Sequence, residues 1–368
     1  MSRVIKRYFP GGNTPEGYFS HYDQVISWEK ANKIFIIKGG PGAGKSSFMR
    51  KIADEFLKKG IGLEFFHCSA DSKSIDGLVL PEYKIALLDG TAPHVIDPKF
   101  PGCVDDIINL GDYWDEYALS QNRQKIQEVN NLYGKCYKRV YNYLKAAKII
   151  LEDIVRIYKD AVDTNAINSK TDKVINEIFK EIPYQNKMSE QRHLFASAIT
   201  PDGIVHFLDC IFGDVSKRFI IKGSPGTGKS DLMKRICDNF VLKGFDVDVF
   251  HCPMEPSKID HLLVTELDYG FITSVKPHNI SQIQQTDQII DLDFAVDTSK
   301  VNLYKQHLDY DNELFWALIH KSVEALKEAK GLHDQMEQLY SSNIDFKKID
   351  DIREKLLSRM LKQVNNTR

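Results

Sequence analysis

The sequence has no long hydrophobic run, and none of its apolar segments approaches the ~20 residues that a transmembrane helix requires. Its beginning, MSRVIKRYFPGG, lacks the apolar core of a secretory signal peptide. Neither charge sign is in excess, since 49 basic residues are balanced by 51 acidic ones. The composition therefore gives no global reason to expect a nucleic-acid or membrane partner. We predict a soluble, cytoplasmic protein.

Cysteine is also sparse, and no pair of cysteines has the CxxC spacing that is typical of metal-binding and redox motifs. In a long chain without a secretion signal, such cysteines indicate free thiols rather than a disulfide framework. We therefore predict that all of them are reduced. The six cysteines are Cys68, Cys103, Cys136, Cys210, Cys237 and Cys252.

The chain contains an internal repeat. With 368 residues, of which 42% are hydrophobic, it is long enough for about two domains. A shift of 184 residues aligns 38–94 with 222–278 without a gap, and 22 of these 57 positions are identical. A repeat of this length indicates a duplicated domain rather than a short structural array. We predict two tandem domains, residues 1–187 and 188–368.

Each copy predicts the same order of elements. An apolar strand at 34–38 or 219–222 leads into a glycine-rich loop, and the helix after this loop ends at Gly60 or Gly244. Two more strands follow in each copy. Strands that alternate with helices favour an α/β fold with a parallel sheet and flanking helices. The later strands are predicted at 63–67 and 84–89 in the first copy and at 247–251 and 268–273 in the second.

The C-terminal part of each copy is charged and has the apolar periodicity of helices. Residues 116–185 and 300–365 are each predicted to form a long helix followed by a shorter one. We interpret these segments as helical extensions of the two domains. They are the candidate surface for a protein partner.

The segment before each glycine loop is also repeated. TPEG at 14–17 matches TPDG at 200–203, and both predict short helices with threonine as the N-cap and proline at the first helical position. Strand-like runs at 4–9 and 192–198 precede them. One hypothesis exchanges these two strands between the sheets, because no similar run follows the last helix. The alternative keeps each strand in its own copy.

The two glycine loops carry the most specific motif. GGPGAGKS at 39–46 and GSPGTGKS at 223–230 both fit G-x-x-x-x-G-K-[ST] between an apolar strand and a helix. Glycines let successive backbone N–H groups face phosphate oxygens at the N-terminus of a helix. The lysine is expected to reach the β and γ phosphates, and the serine hydroxyl to bind Mg²⁺. The predicted nucleotide-binding residues are Gly39, Gly40, Pro41, Gly42, Ala43, Gly44, Lys45, Ser46, Ser47, Gly223, Ser224, Pro225, Gly226, Thr227, Gly228, Lys229, Ser230 and Asp231.

These loops resemble the Walker A motifs of the P-loop NTPase superfamily. As a whole, the chain resembles uncharacterised bacterial proteins with two such domains in tandem, which are labelled as ATPases or nucleotide kinases from the loop alone. The resemblance implies ATP or another nucleoside triphosphate, together with Mg²⁺, as cofactors. It covers about 60 residues of each copy and says little of the helical extensions.

A carboxylate at the end of a neighbouring strand is the expected partner of the magnesium ion. YKIALLDGT provides it in the first copy as Asp89, whereas the second copy has Thr273 in the same register. Loss of an outer-shell metal partner costs about 10- to 100-fold in affinity or activity. We therefore predict unequal sites, and the alternative is that Asp268 or Asp260 substitutes for the missing acid.

The predicted function is slow, magnesium-dependent ATP hydrolysis by the first copy, with a second site that binds nucleotide and turns it over slowly. The predicted catalytic residues are Lys45 and Asp89, and the predicted metal ligands are Ser46, Asp89 and Ser230. No acid follows Asp89 directly, and no LSGGQ-like stretch is present, which disfavours motor and transporter ATPases. The alternatives are a nucleotide or small-metabolite kinase and a non-catalytic, nucleotide-gated switch.

Repeated histidines and cysteines follow the predicted strands, at the sheet end where α/β proteins bind ligands. They are expected to contact a nucleotide or an acceptor, or to form a three-ligand metal site, unless they only satisfy carbonyls and pack. Glu82 and Glu266, at the opposite sheet end, are expected to be structural. The repeated residues are His67, Cys68 and His94, matched by His251, Cys252 and His278.

Basic residues suggest two further roles. The run at 135–148 has interleaved tyrosines, and we interpret it as a solvated or partner-binding helix in preference to a nucleic-acid surface.

Pseudo-symmetric packing of the two copies would let one copy complete the site of the other. Arg218 and Arg235 are the candidate donors for such a contribution.

Overall fold

The computed structural model describes residues 5–92, 95–281 and 283–366, which form two similar halves. The strands of the first half are β1 (Ile5–Tyr8), β2 (Gly11–Thr14), β3 (Gly17–Ser20), β4 (Lys33–Lys38), β5 (Leu63–His67), β6 (Ile75–Leu80), β7 (Ile85–Asp89) and β8 (Asp105–Asn109). Those of the second half are β9 (Gln191–Leu194), β10 (Ser197–Thr200), β11 (Gly203–His206), β12 (Lys217–Lys222), β13 (Val247–His251), β14 (Ile259–Val264), β15 (Tyr269–Thr273) and β16 (Gln288–Asp291). The helices are α1 (Lys45–Lys58), α2 (Glu116–Gln121), α3 (Arg123–Ala161), α4 (Thr164–Phe179), α5 (Leu208–Phe212), α6 (Lys229–Leu242), α7 (Thr298–Leu303), α8 (Lys305–Ser341) and α9 (Phe346–Asn366).

The strand–loop–helix unit predicted around each glycine loop is confirmed. In the first half, β4 is a buried apolar strand and α1 buries one face, including Phe48, Ile52 and Phe56, against the sheet. The chain leaves α1 through Gly60, whose φ of 78° is in the left-handed region that favours glycine. Gly244 ends α6 in the same way with φ 86°. Both second strands also have the predicted bounds.

Each half has a six-stranded mixed sheet, so the prediction of a parallel sheet is wrong in one strand of each copy. The order is β1-β5-β6-β7-β4-β8 in the first half and β9-β13-β14-β15-β12-β16 in the second. β6 and β14 are antiparallel to both neighbours. A tight turn joins β6 to β7, with Lys84 at φ 53°, and Asp268 at φ 55° marks the same turn in the other half. Such a turn is too short for the crossover that parallel strands need.

The first strand of each half stays in its own sheet. β1 pairs with β5 and β9 pairs with β13, so the exchange hypothesis is wrong and its alternative is confirmed. The two sheets nevertheless meet at these edges. Phe9 and Phe195 exchange two backbone hydrogen bonds of 3.0 Å. The Arg192 guanidinium also donates to both carboxylate oxygens of Glu64, at 3.2 and 2.8 Å.

The predicted helices at TPEG and TPDG are instead the turns of two β-hairpins, β2–β3 and β10–β11. In the first, the Thr14 hydroxyl donates to the carbonyl of Gly17 at 2.8 Å and accepts from the N–H of Glu16 at 3.1 Å. Gly17 has φ 110° and the matching Gly203 has φ 99°, and these values end any helix at that point. In the second copy, the predicted helix is reduced to α5.

The helical extensions form as predicted, a long helix followed by a shorter one, but they pack on the opposite sheet. We call residues 116–179 the first arm and residues 298–366 the second arm. Apolar side chains of α4, such as Val174, lie in one core with Phe219 of β12. Side chains of α9, such as Leu356, lie in one core with Phe35 of β4. The division of the chain at residue 187 remains a prediction, and both arms reach across it.

The long helices α3 and α8 pack antiparallel along a shared apolar seam. Arg139 of α3 and Glu328 of α8 are joined by a 3.0 Å ion pair beside this seam. Each arm is also anchored where its long helix meets its short one. Val162 bridges to Val296 at the base of the second arm, and Ile344 bridges to Trp114 at the base of the first.

The basic run of α3 lies on this helix pair. Tyr137 and Tyr141 pack against the seam, and Lys148 pairs with Glu16 at 3.6 Å. These tyrosines are therefore used for packing within the chain. Within the described residues, no helix combines the length and apolarity needed to cross a membrane. All six cysteines are free, as predicted.

Candidate functional site

The two glycine loops have closely matching geometry. Gly42 and Gly44 have φ of 69° and 76°, and the matching Gly226 and Gly228 have 83° and 90°. These left-handed conformations curl the backbone immediately before the first residue of α1 or α6. A curled loop at a helix N-terminus is the backbone shape that the sequence predicted for phosphate binding.

Each loop lysine folds over its own loop. The Nζ of Lys45 donates to the carbonyls of Gly39 at 2.7 Å and Gly40 at 3.0 Å. The Nζ of Lys229 donates to the two equivalent carbonyls, both at 2.7 Å. Burial lowers the pKa of Lys229 to about 8. The structure therefore places both lysines where the sequence predicted them, at the loop and next to a helix N-terminus.

The loop serines contact the antiparallel strand that the sequence reasoning missed. The hydroxyl of Ser46 accepts from the N–H of Ile75 at 3.0 Å, and that of Ser230 accepts from the N–H of Ile259 at 3.2 Å. β6 and β14 therefore begin beside the predicted magnesium ligands. Ser47 and Asp231, also predicted to bind nucleotide, lie in the first helical turns with exposed side chains.

Asp76 and Asp260 come directly after Ile75 and Ile259 in the sequence, and each lies at a β-bulge. Phe66 pairs with Gly77 while His67 pairs with Ile75, so Asp76 is the extra residue, and Asp260 has the same position in β14. A bulge changes the direction of a side chain and is common beside active sites. The sequence signal for these two acids is the Ile-Asp dipeptide, which occurs at 75–76 and again at 259–260.

Asp89 lies where the sequence predicted an acid for the first site. It ends β7 opposite Ile37 of β4, and its Oδ2 is 3.5 Å from the Nζ of Lys45. Burial raises the pKa of the Asp89 carboxyl, the Lys45 ammonium lowers it in part, and the charge of Asp76 raises it further. Lys45, Ser46, Asp76 and Asp89 thus converge at the first glycine loop.

The second site differs as predicted at one position. Thr273 is buried at the place of Asp89, and its hydroxyl has no hydrogen-bond partner among the described residues. Of the two proposed substitutes, Asp268 is wrong, because it lies in the turn at the opposite sheet end and accepts from the N–H of Ser216 at 3.0 Å. Asp260 is close enough for Lys229 to lower its pKa, although burial raises that pKa to about 6.

Neither arginine proposed as a donor in trans reaches the other copy's loop. Arg218 is buried at the start of β12, away from the loop, and its guanidinium donates to both oxygens of Asp287 at 2.7 Å. Arg235 of α6 pairs with Asp172 of α4. Both arginines therefore have structural ion pairs in this fold.

The arms supply the contact between copies that these arginines do not. A Cβ on Gly42 would lie 2.4 Å from the carbonyl oxygen of Glu337 in the second arm. A Cβ on Gly226 would lie 2.7 Å from the carbonyl oxygen of Val155 in the first arm. Each loop is thus in close contact with the far end of the other copy's long helix. Sequence reasoning missed this contact, since the arms have no residue motif that identifies it.

The structure separates the predicted histidine and cysteine sets. His67 is satisfied by Arg7 at 2.9 Å and by the Ser72 carbonyl at 2.8 Å, as the structural interpretation expected. His251 instead faces His193, with 2.8 Å between ring nitrogens. The thiols of Cys68 and Cys252 have pKa values raised by burial. His94 lies outside the described residues.

The structure also places the other repeated residues, Glu82, Glu266 and His278. Glu82 lies exposed at the sheet end opposite the loops, and Glu266 pairs there with Lys187 at 2.6 Å, so the structural expectation for both is confirmed. His278 does not lie with His251 and Cys252. It lies beside the second loop, close to Asp260 and His261.

We expect buried histidines to make stability fall in mild acid. Burial lowers the pKa of His67 to about 4, whereas an unfolded histidine titrates near 6.5. Between these values the unfolded state binds a proton that the folded state does not, so stability is full above about pH 6.5 and is lost as pH falls toward 4. His67→Gln should reduce the pH slope of the unfolding free energy by up to about 1.4 kcal/mol per pH unit.

Urea unfolding at several pH values between 4.5 and 6.5 measures this slope. His320→Gln, on an exposed face of α8, is the control and should keep the wild-type slope. An unchanged slope in His67→Gln would show that His67 takes up its proton equally in both states.

Comparison with family models, with curated proteins and with solved structures gives no match to this chain. The assignment of function therefore depends on the residues themselves.

Proposed function

We propose that this protein is a P-loop nucleotide-binding protein that hydrolyses ATP slowly, with Mg²⁺, at its first glycine loop. The observation that carries the proposal is the convergence of Lys45, Ser46 and Asp89, with the Lys45 Nζ 3.5 Å from Asp89 and bonded to the loop carbonyls. This combination of a curled loop, a lysine, a hydroxyl and a carboxylate suits a triphosphate with its metal ion.

The donor set fits magnesium. A hydroxyl and carboxylate oxygens are the hard ligands that Mg²⁺ prefers, and Ser46, Asp89 and the neighbouring Asp76 provide them in the first copy. Bound there, Mg²⁺ would neutralise charge on the phosphates. Lys45 would bind phosphate oxygens, for which it must leave the carbonyls of Gly39 and Gly40.

The second loop is proposed to bind nucleotide with slow turnover. It retains Lys229 and Ser230, but Thr273 offers no carboxylate at the position of Asp89. Asp260 and Asp293 are both near Lys229, and neither lies at the position of Thr273. The two sites therefore differ in whether the end of this strand carries a carboxylate.

A nucleotide-gated switch is the second candidate function. It is favoured by the contact between each loop tip and the other copy's arm, at Gly42 with Glu337 and at Gly226 with Val155. A loop that changes shape on binding phosphate would move the arm that packs against it. The arms, rather than a second substrate, would then carry the output. A kinase remains an alternative, and it predicts ADP formation that depends on an acceptor.

Exchanging the acid tests the proposal. We expect Asp89→Asn to lower phosphate release from Mg-ATP by about 10- to 100-fold and to raise the Mg²⁺ concentration needed for half-maximal rate, because one carboxylate is lost from the metal shell. Thr273→Asp, which restores the acid in the second copy, should raise the rate of an Asp89→Asn background. Phosphate release at increasing Mg²⁺ is the measurement.

Asp97→Asn is the matched control, since this exposed acid lies eight positions further along the chain and pairs only with Lys38 among the described residues. It should retain the wild-type rate. Equal rates for Asp89→Asn and the wild type would contradict a metal role for Asp89. ATP binding without phosphate release by the wild type would favour the switch.

A further inference from the structure

Three residues with metal-ligating side chains come together beside the second glycine loop. Asp260 and His261 are adjacent in β14, and His278 follows β15. One ligand atom from each lies within 4.8 Å of the other two. Adjacent residues in a regular strand point to opposite faces, so the bulge at Asp260 is what brings the carboxylate to the same side as the imidazole.

His261 is the unusual member of this cluster. Its side chain is 1% exposed, and neither ring nitrogen has a hydrogen-bond partner within the described part of the chain. A neutral imidazole carries one N–H donor and one acceptor, and leaving such groups buried without partners is destabilising. The buried Nδ1 of His206, on the neighbouring hairpin, also has no partner among the described residues.

We propose that Asp260, His261 and His278 form a binding site for a divalent transition metal of the zinc class. Two imidazoles and a carboxylate are a donor set that Zn²⁺ uses in proteins, with metal–nitrogen distances of about 2.0–2.1 Å. All three ligand atoms lie within 4.8 Å of one another, so small movements of the side chains would bring them to one ion. Bound metal would satisfy one nitrogen of His261.

The surroundings of His278 match those of a metal ligand. Its Nε2 is 2.9 Å from the hydroxyl of Ser197, and its Nδ1 faces Asp260, with 3.9 Å to Oδ2. Metal-bound histidines usually form such a hydrogen bond through the second ring nitrogen, which fixes the orientation of the ring.

The first copy lacks the central imidazole of this cluster. Gly77 stands at the position of His261, and Ser20 stands at the position of His206 on the matching hairpin. The second copy thus has the His261 imidazole beside its loop and lacks the Asp89 carboxylate, so its donors shift from hard oxygen atoms toward nitrogen atoms. In the second copy Asp260 would then serve the transition metal.

Titration of the metal-stripped full chain with Zn²⁺, in the absence of nucleotide, tests the site independently of any ATPase activity. We expect one Zn²⁺ per chain in the wild type, and visible absorption typical of nitrogen-bound Co²⁺ when Co²⁺ replaces it. His261→Gly, which introduces the first copy's residue, should lose affinity by more than the about 10- to 100-fold expected for Ser197→Ala, an outer-shell change.

The exposed trio His333, Asp334 and Glu337 on α8 provides the control, because it also meets the distance condition for a metal site. His333→Ala should leave Zn²⁺ binding intact. Loss of binding in His333→Ala but not in His261→Gly, or no binding by the wild type, would overturn the proposal. Asp260→Asn, checked for folding by circular dichroism, is the second variant if His261→Gly does not fold, and unchanged affinity in it would also overturn the assignment.

Discussion

Lys45→Ala should reduce phosphate release from Mg-ATP by about 10²- to 10³-fold, the typical cost of removing one positioned electrostatic group from an active site. Lys229→Ala should leave most of the release intact. The difference is expected because Lys45 is beside Asp89, at 3.5 Å, whereas the second copy has Thr273 in place of that acid. Phosphate release by the wild type and these two variants at saturating Mg-ATP measures the turnover and the difference in turnover between the two sites.

Lys51→Ala is the control for this pair of variants. Lys51 is an exposed lysine of the same helix α1, where it pairs with Asp350, and its loss should leave the rate unchanged. Equal losses in Lys45→Ala and Lys229→Ala would contradict the inequality and indicate one composite site. ADP that forms only with an added acceptor, without free phosphate, would identify a kinase.

Gly42→Ala should destabilise the protein by about 2–5 kcal/mol in the absence of nucleotide. The left-handed φ of 69° costs an alanine about 1–2 kcal/mol, and the methyl group would meet the Glu337 carbonyl oxygen at 2.4 Å, an overpacking that costs about 1–3 kcal/mol. We also expect hydrogen exchange to increase at the C-terminal end of α8. Urea unfolding and hydrogen exchange are the two measurements.

Gly102→Ala isolates the contribution of the arm. Gly102 has φ 77°, and apart from its two chain neighbours no atom of a described residue lies within 4 Å of the position that its Cβ would take, so only the backbone cost applies. Gly226→Ala, at the matching loop, should resemble Gly42→Ala and loosen the end of α3 instead. If Gly42→Ala were no less stable than Gly102→Ala, the arm would not be packed tightly on the loop.

The elements and residues around each glycine loop were predictable from the sequence. The strand–loop–helix unit followed from apolar runs, glycines and the lysine at the helix start, and the structure confirms it, with strands that begin one and two residues earlier than predicted. The position of Asp89 beside Lys45 followed from the same register. These features depend on residues that are close in sequence or aligned by the repeat.

The missed features depend on contacts between distant segments. The reversal at Lys84 made β6 antiparallel, and the bulge at Asp76 became visible only from the pairing of β5 with β6. An apolar helix face also shows that α4 is covered, but not that Phe219 of the other copy covers it. His261 joined His278 through strand pairing and a loop that no periodicity predicts.

Each arm packs on the sheet of the other copy, which is the arrangement found in dimers whose subunits swap a segment. A single copy of the repeat, with its arm crossing to an identical copy, would have a self-complementary interface with two-fold symmetry. The tandem chain is then equivalent to such a dimer fused into one polypeptide, in which covalent linkage keeps the two partners at high effective concentration. Cleavage near residue 187 should accordingly yield two fragments that stay associated rather than two independent domains.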